Sequence, residues 1–69
     1  MNGRITVNGE SRPLTAVTVA ELLREEDIDL DARGVAVALN GAITRRPAWG
    51  ETLLKPGDRI EIVKPFAGG

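Results

Sequence analysis

At 69 residues, 42% of them hydrophobic, the chain has material for one small domain, and a domain of this size buries only about 60% of the surface its unfolded chain exposes. Nine basic residues against ten acidic ones leave a net charge of −1, with no basic run to neutralise a row of phosphates, which argues against nucleic acid as a partner. Cysteine and histidine are both absent, so disulfides, thiolate metal sites and the commonest general base are excluded together, and an enzyme is not expected.

The single Trp and single Phe make the expected core aliphatic. There is no charged leader followed by an apolar core, and no apolar run of membrane-spanning length, so a cytoplasmic protein is expected.

Ile5 and Val7 alternate with polar residues ahead of Asn8-Gly9, the signal of a β-hairpin whose two turn positions need positive φ. Its second arm, Ser11 to Leu14, contains Pro13 and is expected to be short or at an edge. Thr18-Val19-Ala20-Glu21 is a capping box: the threonine oxygen accepts from the Glu21 amide, and the glutamate reaches back to the Thr18 amide. Val17 and Leu22 occupy the two hydrophobic-staple positions. The spacing predicts a helix from Val19 to about Glu26, with Val19, Leu22 and Leu23 inward, Ile28 extending that face, and Arg24, Glu25 and Glu26 toward water.

The aspartates Asp27, Asp29 and Asp31 read as a solvated exit loop, because the central Gly and distal Glu of an EF-hand loop are missing. Val35-Ala36-Val37-Ala38-Leu39 is almost wholly apolar and predicts a central strand covered on both faces. Asn40-Gly41 is a second turn leading to the short strand Ala42-Ile43-Thr44. Regular patterning breaks at 45–50. There Arg45 and Arg46 read as a solvated pair, and Trp49 as a partly buried lid on the core, an interface anchor being the alternative. Pro56-Gly57 suits the centre of a type II turn. Arg59 to Val63 alternates as a half-buried last strand with Ile60 and Ile62 on the core face.

That strand runs into Lys64-Pro65-Phe66-Ala67-Gly68-Gly69. Residues 1–63 read as the domain and 64–69 as an extended tail, which could hold the α-carboxylate of Gly69 roughly 20 Å beyond the fold. Glycine has no Cβ, so Gly68 and Gly69 can enter a slot too narrow for other residues.

Together these residues resemble the ThiS/MoaD sulfur carriers, small ubiquitin-like β-grasp proteins, and the thiamine-biosynthesis branch most closely. The resemblance rests on Asn8-Gly9, Thr18-Val19-Ala20-Glu21-Leu22-Leu23, Val37-Ala38-Leu39-Asn40, Arg46 and Trp49 in the family's Asn, Arg, Trp spacing, Pro56-Gly57-Asp58, and Phe66-Ala67-Gly68-Gly69. It implies an α+β fold, a mixed sheet of four to five strands packed on one main helix. It also implies that an E1-like, ThiF-like adenylyltransferase uses ATP and magnesium to adenylate Gly69, and that sulfur from a donor such as a cysteine desulfurase replaces AMP. The resulting thiocarboxylate would serve a ThiG-like thiazole synthase. Gly68 and Ala67 would give the tail its access, Phe66 would either contact the partner or close the core, and an exposed apolar area on the sheet would dock the activating enzyme. No cofactor is expected to be bound by the chain itself. The alternatives are a MoaD-like carrier for molybdopterin or another acceptor, and a β-grasp interaction module or protein modifier.

Overall fold

The computed structural model describes residues 3–64. Strand β1 (Arg4–Val7) and strand β2 (Glu10–Pro13) form the first hairpin, followed by helix α1 (Val19–Glu25), strands β3 (Ala36–Leu39) and β4 (Ala42–Thr44), a short 3-10 helix (Arg46–Ala48) and strand β5 (Arg59–Val63). Both hairpins turn where expected. Asn8 and Gly9 have φ of 50° and 86°, and Asn40 and Gly41 have 52° and 87°, a left-handed pair that Asn and Gly tolerate and that matches strand twist.

The strands make one five-stranded sheet in the order β2-β1-β5-β3-β4. β1 and β5 are parallel, and the other neighbours are antiparallel. This mixed sheet packed on helix α1 is the β-grasp arrangement that the resemblance implies.

One face of the sheet supplies Ile5, Val7, Val37, Ile60 and Ile62, and the helix supplies Val19, Ala20, Leu22 and Leu23, all buried. Ile28 closes the same core beyond the helix end, and Leu14, Leu30, Val35 and Leu39 pack against its rim. The helix begins at Thr18, whose hydroxyl accepts from the Glu21 N–H at 3.2 Å. Arg12 of the edge strand β2 reaches Glu26 at the helix C-cap, 2.6 Å away, a partly exposed ion pair of the kind that contributes little to stability. The turn at Lys55-Pro56-Gly57-Asp58 closes by the Asp58 N–H donating to the Lys55 carbonyl, with Gly57 at φ 90°.

Four expectations need correction. The Glu21 carboxylate accepts from the Val17 N–H at 2.9 Å rather than from Thr18, because the chain around Thr18 is drawn into an antiparallel bridge with Leu53. In that bridge the Val19 N–H donates to the Thr52 carbonyl and the Leu54 N–H to the Val17 carbonyl. Val17 is consequently 59% exposed, so there is no hydrophobic staple. β5, not β3, holds the middle of the sheet. Nor is β3 covered on both faces: Val37 is buried, but Ala36 is exposed, since helix α1 lies on one side. The apolar run 35–39 reads like a doubly covered strand because alanine fits an open face as easily as a closed one.

Ile60 is wholly buried beneath the helix. Ile60→Ala is expected to lower unfolding free energy by about 2–5 kcal/mol, read by denaturant titration of the buried Trp49 fluorescence. Ile43→Ala, on an exposed side chain, should stay within about 0.5 kcal/mol of the parent.

Candidate functional site

The residues assigned to sulfur chemistry or access, Gly69, Gly68, Ala67 and Phe66, lie outside the described residues. What is described is the root from which they follow. β5 runs up the middle of the sheet to Val63 and then Lys64. On one side it is paired with β3 to its end, Ala36 opposite Val63.

On the other side the partner strand stops short. The parallel ladder pairs Thr6 with Arg59 and Val7 with Ile60, and its last backbone bond is the Asn8 N–H donating to the Ile60 carbonyl at 2.9 Å. There the chain turns into the hairpin. The side chain of Asn8 continues where the backbone leaves off: Oδ1 accepts from the Ile62 N–H at 2.7 Å, and Nδ2 donates to the Ile62 carbonyl at 3.2 Å.

Alternation along β5 sends Ile60 and Ile62 into the core and Arg59, Glu61 and Val63 to the opposite face. Val63 is 62% exposed and Ile43 is 70% exposed. The register joins them through alanines, since Val63 faces Ala36, and Ala38 lies between Glu61 of β5 and Ile43 of β4. The outer sheet surface beside the tail root therefore carries an apolar band of Val63, Ala36, Ala38 and Ile43, with Glu61 beside it.

The three residues in Asn, Arg, Trp spacing serve the framework. Asn40 closes the start of β5: its N–H donates to the Arg59 carbonyl at 2.7 Å, and its Oδ1 accepts from the Arg59 N–H at 2.8 Å. Its Nδ2 donates to Asp58 Oδ1 at 3.0 Å, while Asp58 Oδ2 accepts from the Lys55 N–H at 2.8 Å. Trp49 is 3% exposed and its Nε1–H donates to the Thr44 carbonyl at 2.7 Å, so it belongs to the core rather than to an interface. Arg46 is exposed, as expected, but its side chain is tethered. It donates to the Ala32 carbonyl and lies 5.4 Å from the Trp49 ring centroid, tying the 3-10 segment to the loop after the helix. Among the described residues there is no pocket and no helix long and apolar enough to cross a membrane.

Two features escaped the sequence reading: which residues form the exposed apolar area that the resemblance implies, and the bonds of Asn8. The outward band was within reach, because the period-2 register that buries Ile60 and Ile62 exposes Val63. The Asn8 bonds had no local signal, since a residue 54 positions away supplies the partner groups.

The family model described as "ThiS family" matches residues 5–69. The chain is 37% identical over 65 residues to the sulfur carrier protein ThiS of Thermus thermophilus, covering 94% of this chain and 98% of that one. It is also 33% identical over 66 residues to a thiazole synthase of Paramagnetospirillum magneticum, covering 96% of this chain but only 20% of the synthase. In structure it is similar to the crystallised thiamine biosynthesis protein ThiS of Geobacter metallireducens, with a TM-score of 0.75, 35% identity and full coverage of both chains.

The Trp49 geometry has a measurable consequence. Trp49→Phe removes the donor to the Thr44 carbonyl and part of a buried ring, and is expected to cost about 1–3 kcal/mol by thermal or denaturant unfolding. An interface role would have left stability unchanged.

Proposed function

The chain belongs to the ThiS family of sulfur carriers, and on that footing we propose that Gly69 is the group that carries sulfur for thiazole formation in thiamine biosynthesis. The observation that supports this reading most directly is the similarity to sulfur carriers over nearly the whole chain, in a family match that runs to Gly69. The similarity to a segment of a thiazole synthase favours thiazole over molybdopterin as the destination.

The chemistry follows from the carboxylate. At neutral pH an α-carboxylate is ionised, with a reference pKa of about 3.3–3.7, and its resonance makes it a poor electrophile. A ThiF-like partner lets a carboxylate oxygen of Gly69 attack the α-phosphorus of ATP, with pyrophosphate leaving and magnesium balancing phosphate charge. The product is an acyl adenylate. A sulfur nucleophile supplied by a donor such as a cysteine desulfurase then attacks the Gly69 carbonyl carbon and AMP departs. With a persulfide as that nucleophile the product is an acyl disulfide; a thiol then cleaves its S–S bond, taking the donor cysteine into a new disulfide and freeing the thiocarboxylate, whose sulfur passes to a ThiG-like thiazole synthase.

In this scheme the chain is a cosubstrate and catalyses nothing itself; ATP and magnesium belong to the partner, and the reaction sits in the cytoplasm. The apolar band of Val63, Ala36, Ala38 and Ile43 is the docking face for the activating enzyme, close to where the tail begins. Gly68 and Ala67 keep the approach narrow enough for the partner's catalytic centre, and Phe66 contacts the partner at the margin of the band.

Deleting Gly69, or replacing Gly68 by Leu, is expected to abolish sulfur transfer in a reconstituted thiazole-forming assay while leaving the unfolding transition unchanged, because neither residue belongs to the described core. Unimpaired transfer by either variant would contradict the reading. Transfer to a molybdopterin precursor but not to thiazole would redirect it to the other carrier branch, and a stable amide to a partner lysine would identify a modifier.

A further inference from the structure

We infer that the side chain of Asn8 is a positioning residue for the carrier reaction, holding the end of β5, from which the tail follows, in one place against β1. The inference rests on the proposed role of Gly69. It starts from the hydrogen-bond pattern of the parallel pair. In such a ladder one strand's N–H and C=O groups are met alternately by the other's at even spacing. After the Asn8 N–H has met the Ile60 carbonyl, a continuing β1 would offer the carbonyl of residue 8 to the Ile62 N–H and then the N–H of residue 10 to the Ile62 carbonyl. Neither is available, because Asn8 at φ 50° and Gly9 at φ 86° have already turned the chain away. One carboxamide replaces both, with Oδ1 at 2.7 Å from the Ile62 nitrogen and Nδ2 at 3.2 Å from its oxygen.

The choice of residue is therefore doubly constrained. Position 8 must tolerate positive φ, which favours Asn, Asp or Gly. It must also present an acceptor and a donor side by side, which Asp at neutral pH and Gly cannot do. Without the amide, β5 beyond Ile60 would be held by β3 alone, and Ile62, two residues before Lys64, would lose the partner for its N–H. The end of β5 would then be held less firmly, and productive alignment with an activating centre would become rarer although the docking face is intact.

The hairpin β3–β4 supplies an internal control. Asn40 occupies the same turn position, with φ 52°, and makes the corresponding amide bond to the Arg59 N–H, but at the other end of β5. The variants to compare are Asn8→Gly and Asn40→Gly, each of which keeps positive φ and removes the amide. In the full chain, amide exchange measured by NMR should accelerate at least about tenfold at Ile62 in Asn8→Gly, in excess of any change at Ile60. Adenylation by a ThiF-like activating enzyme, followed as pyrophosphate release, should show kcat lowered roughly threefold to tenfold with KM changed less than about twofold. Asn40→Gly should keep kcat and the Ile62 exchange rate, even where its melting temperature falls as far.

Wild-type kcat in Asn8→Gly, or an equal loss of kcat in Asn40→Gly, would overturn the inference in favour of a purely structural role. An effect confined to KM would also overturn it, by making Asn8 part of docking. Should the wild-type chain release no pyrophosphate with an enzyme that adenylates another ThiS carrier, the carrier reading fails and the positioning role falls with it. Ile62 exchange would still show separately whether the clamp exists.

Discussion

The parallel pairing of the first and last strands is the constraint on which the rest of the structure depends. It places β5 at the centre of the sheet, with Ile60 and Ile62 pressed beneath the helix and β3 on the far side. Once β5 is central, its core-facing register is fixed, since a slip of one residue would carry Arg59, Glu61 and Val63 into the apolar layer. The same register aims Val63 outward beside Ala36, so the position of the tail root and the location of the apolar band are consequences of one strand placement. In a domain this small, helix α1 covers only one face of the sheet, and the outer face keeps Val63 and Ile43 exposed.

The two Asn-Gly turns show how a short sequence can carry two kinds of information at one position. Each asparagine accepts the left-handed backbone that ends a hairpin, and each then uses its carboxamide as a substitute peptide at one end of β5. Asn40 works together with Asp58, whose second carboxylate oxygen accepts from Lys55 N–H and so closes the turn leading into the strand. The entry and the exit of the central strand are thus both secured by side chains, in places where neighbouring backbone has already turned away.

Local chemistry was legible in the sequence. Asn-Gly turns, the Thr18 cap, Pro56-Gly57 and the alternation of Arg59 to Val63 each encode their geometry within a few residues, and all appear where expected. Properties that depend on distant neighbours were not. Val35 to Leu39 carries no mark distinguishing an open face from a covered one, because alanine is neutral between them. The tethering of Arg46 depends on Ala32 and Trp49 coming to it, and Val17 lost its expected staple to a bridge formed by Leu53. Of the candidate site, the apolar band follows from strand periodicity. The Gly69 assignment came from family resemblance, and the described geometry bears on it only through the root of the tail.

The measurement closest to the central claim is a high-resolution mass of the C-terminal peptide after incubation with ATP, magnesium, a ThiF-like enzyme and a sulfur donor. Fragmentation must localise the change, because replacing oxygen by sulfur has nearly the nominal mass of oxidising Met1 to its sulfoxide. One oxygen-to-sulfur exchange is expected, located on Gly69. An unmodified Gly69, under conditions where the same enzyme loads another ThiS carrier, would contradict it and leave a β-grasp interaction module as the better description.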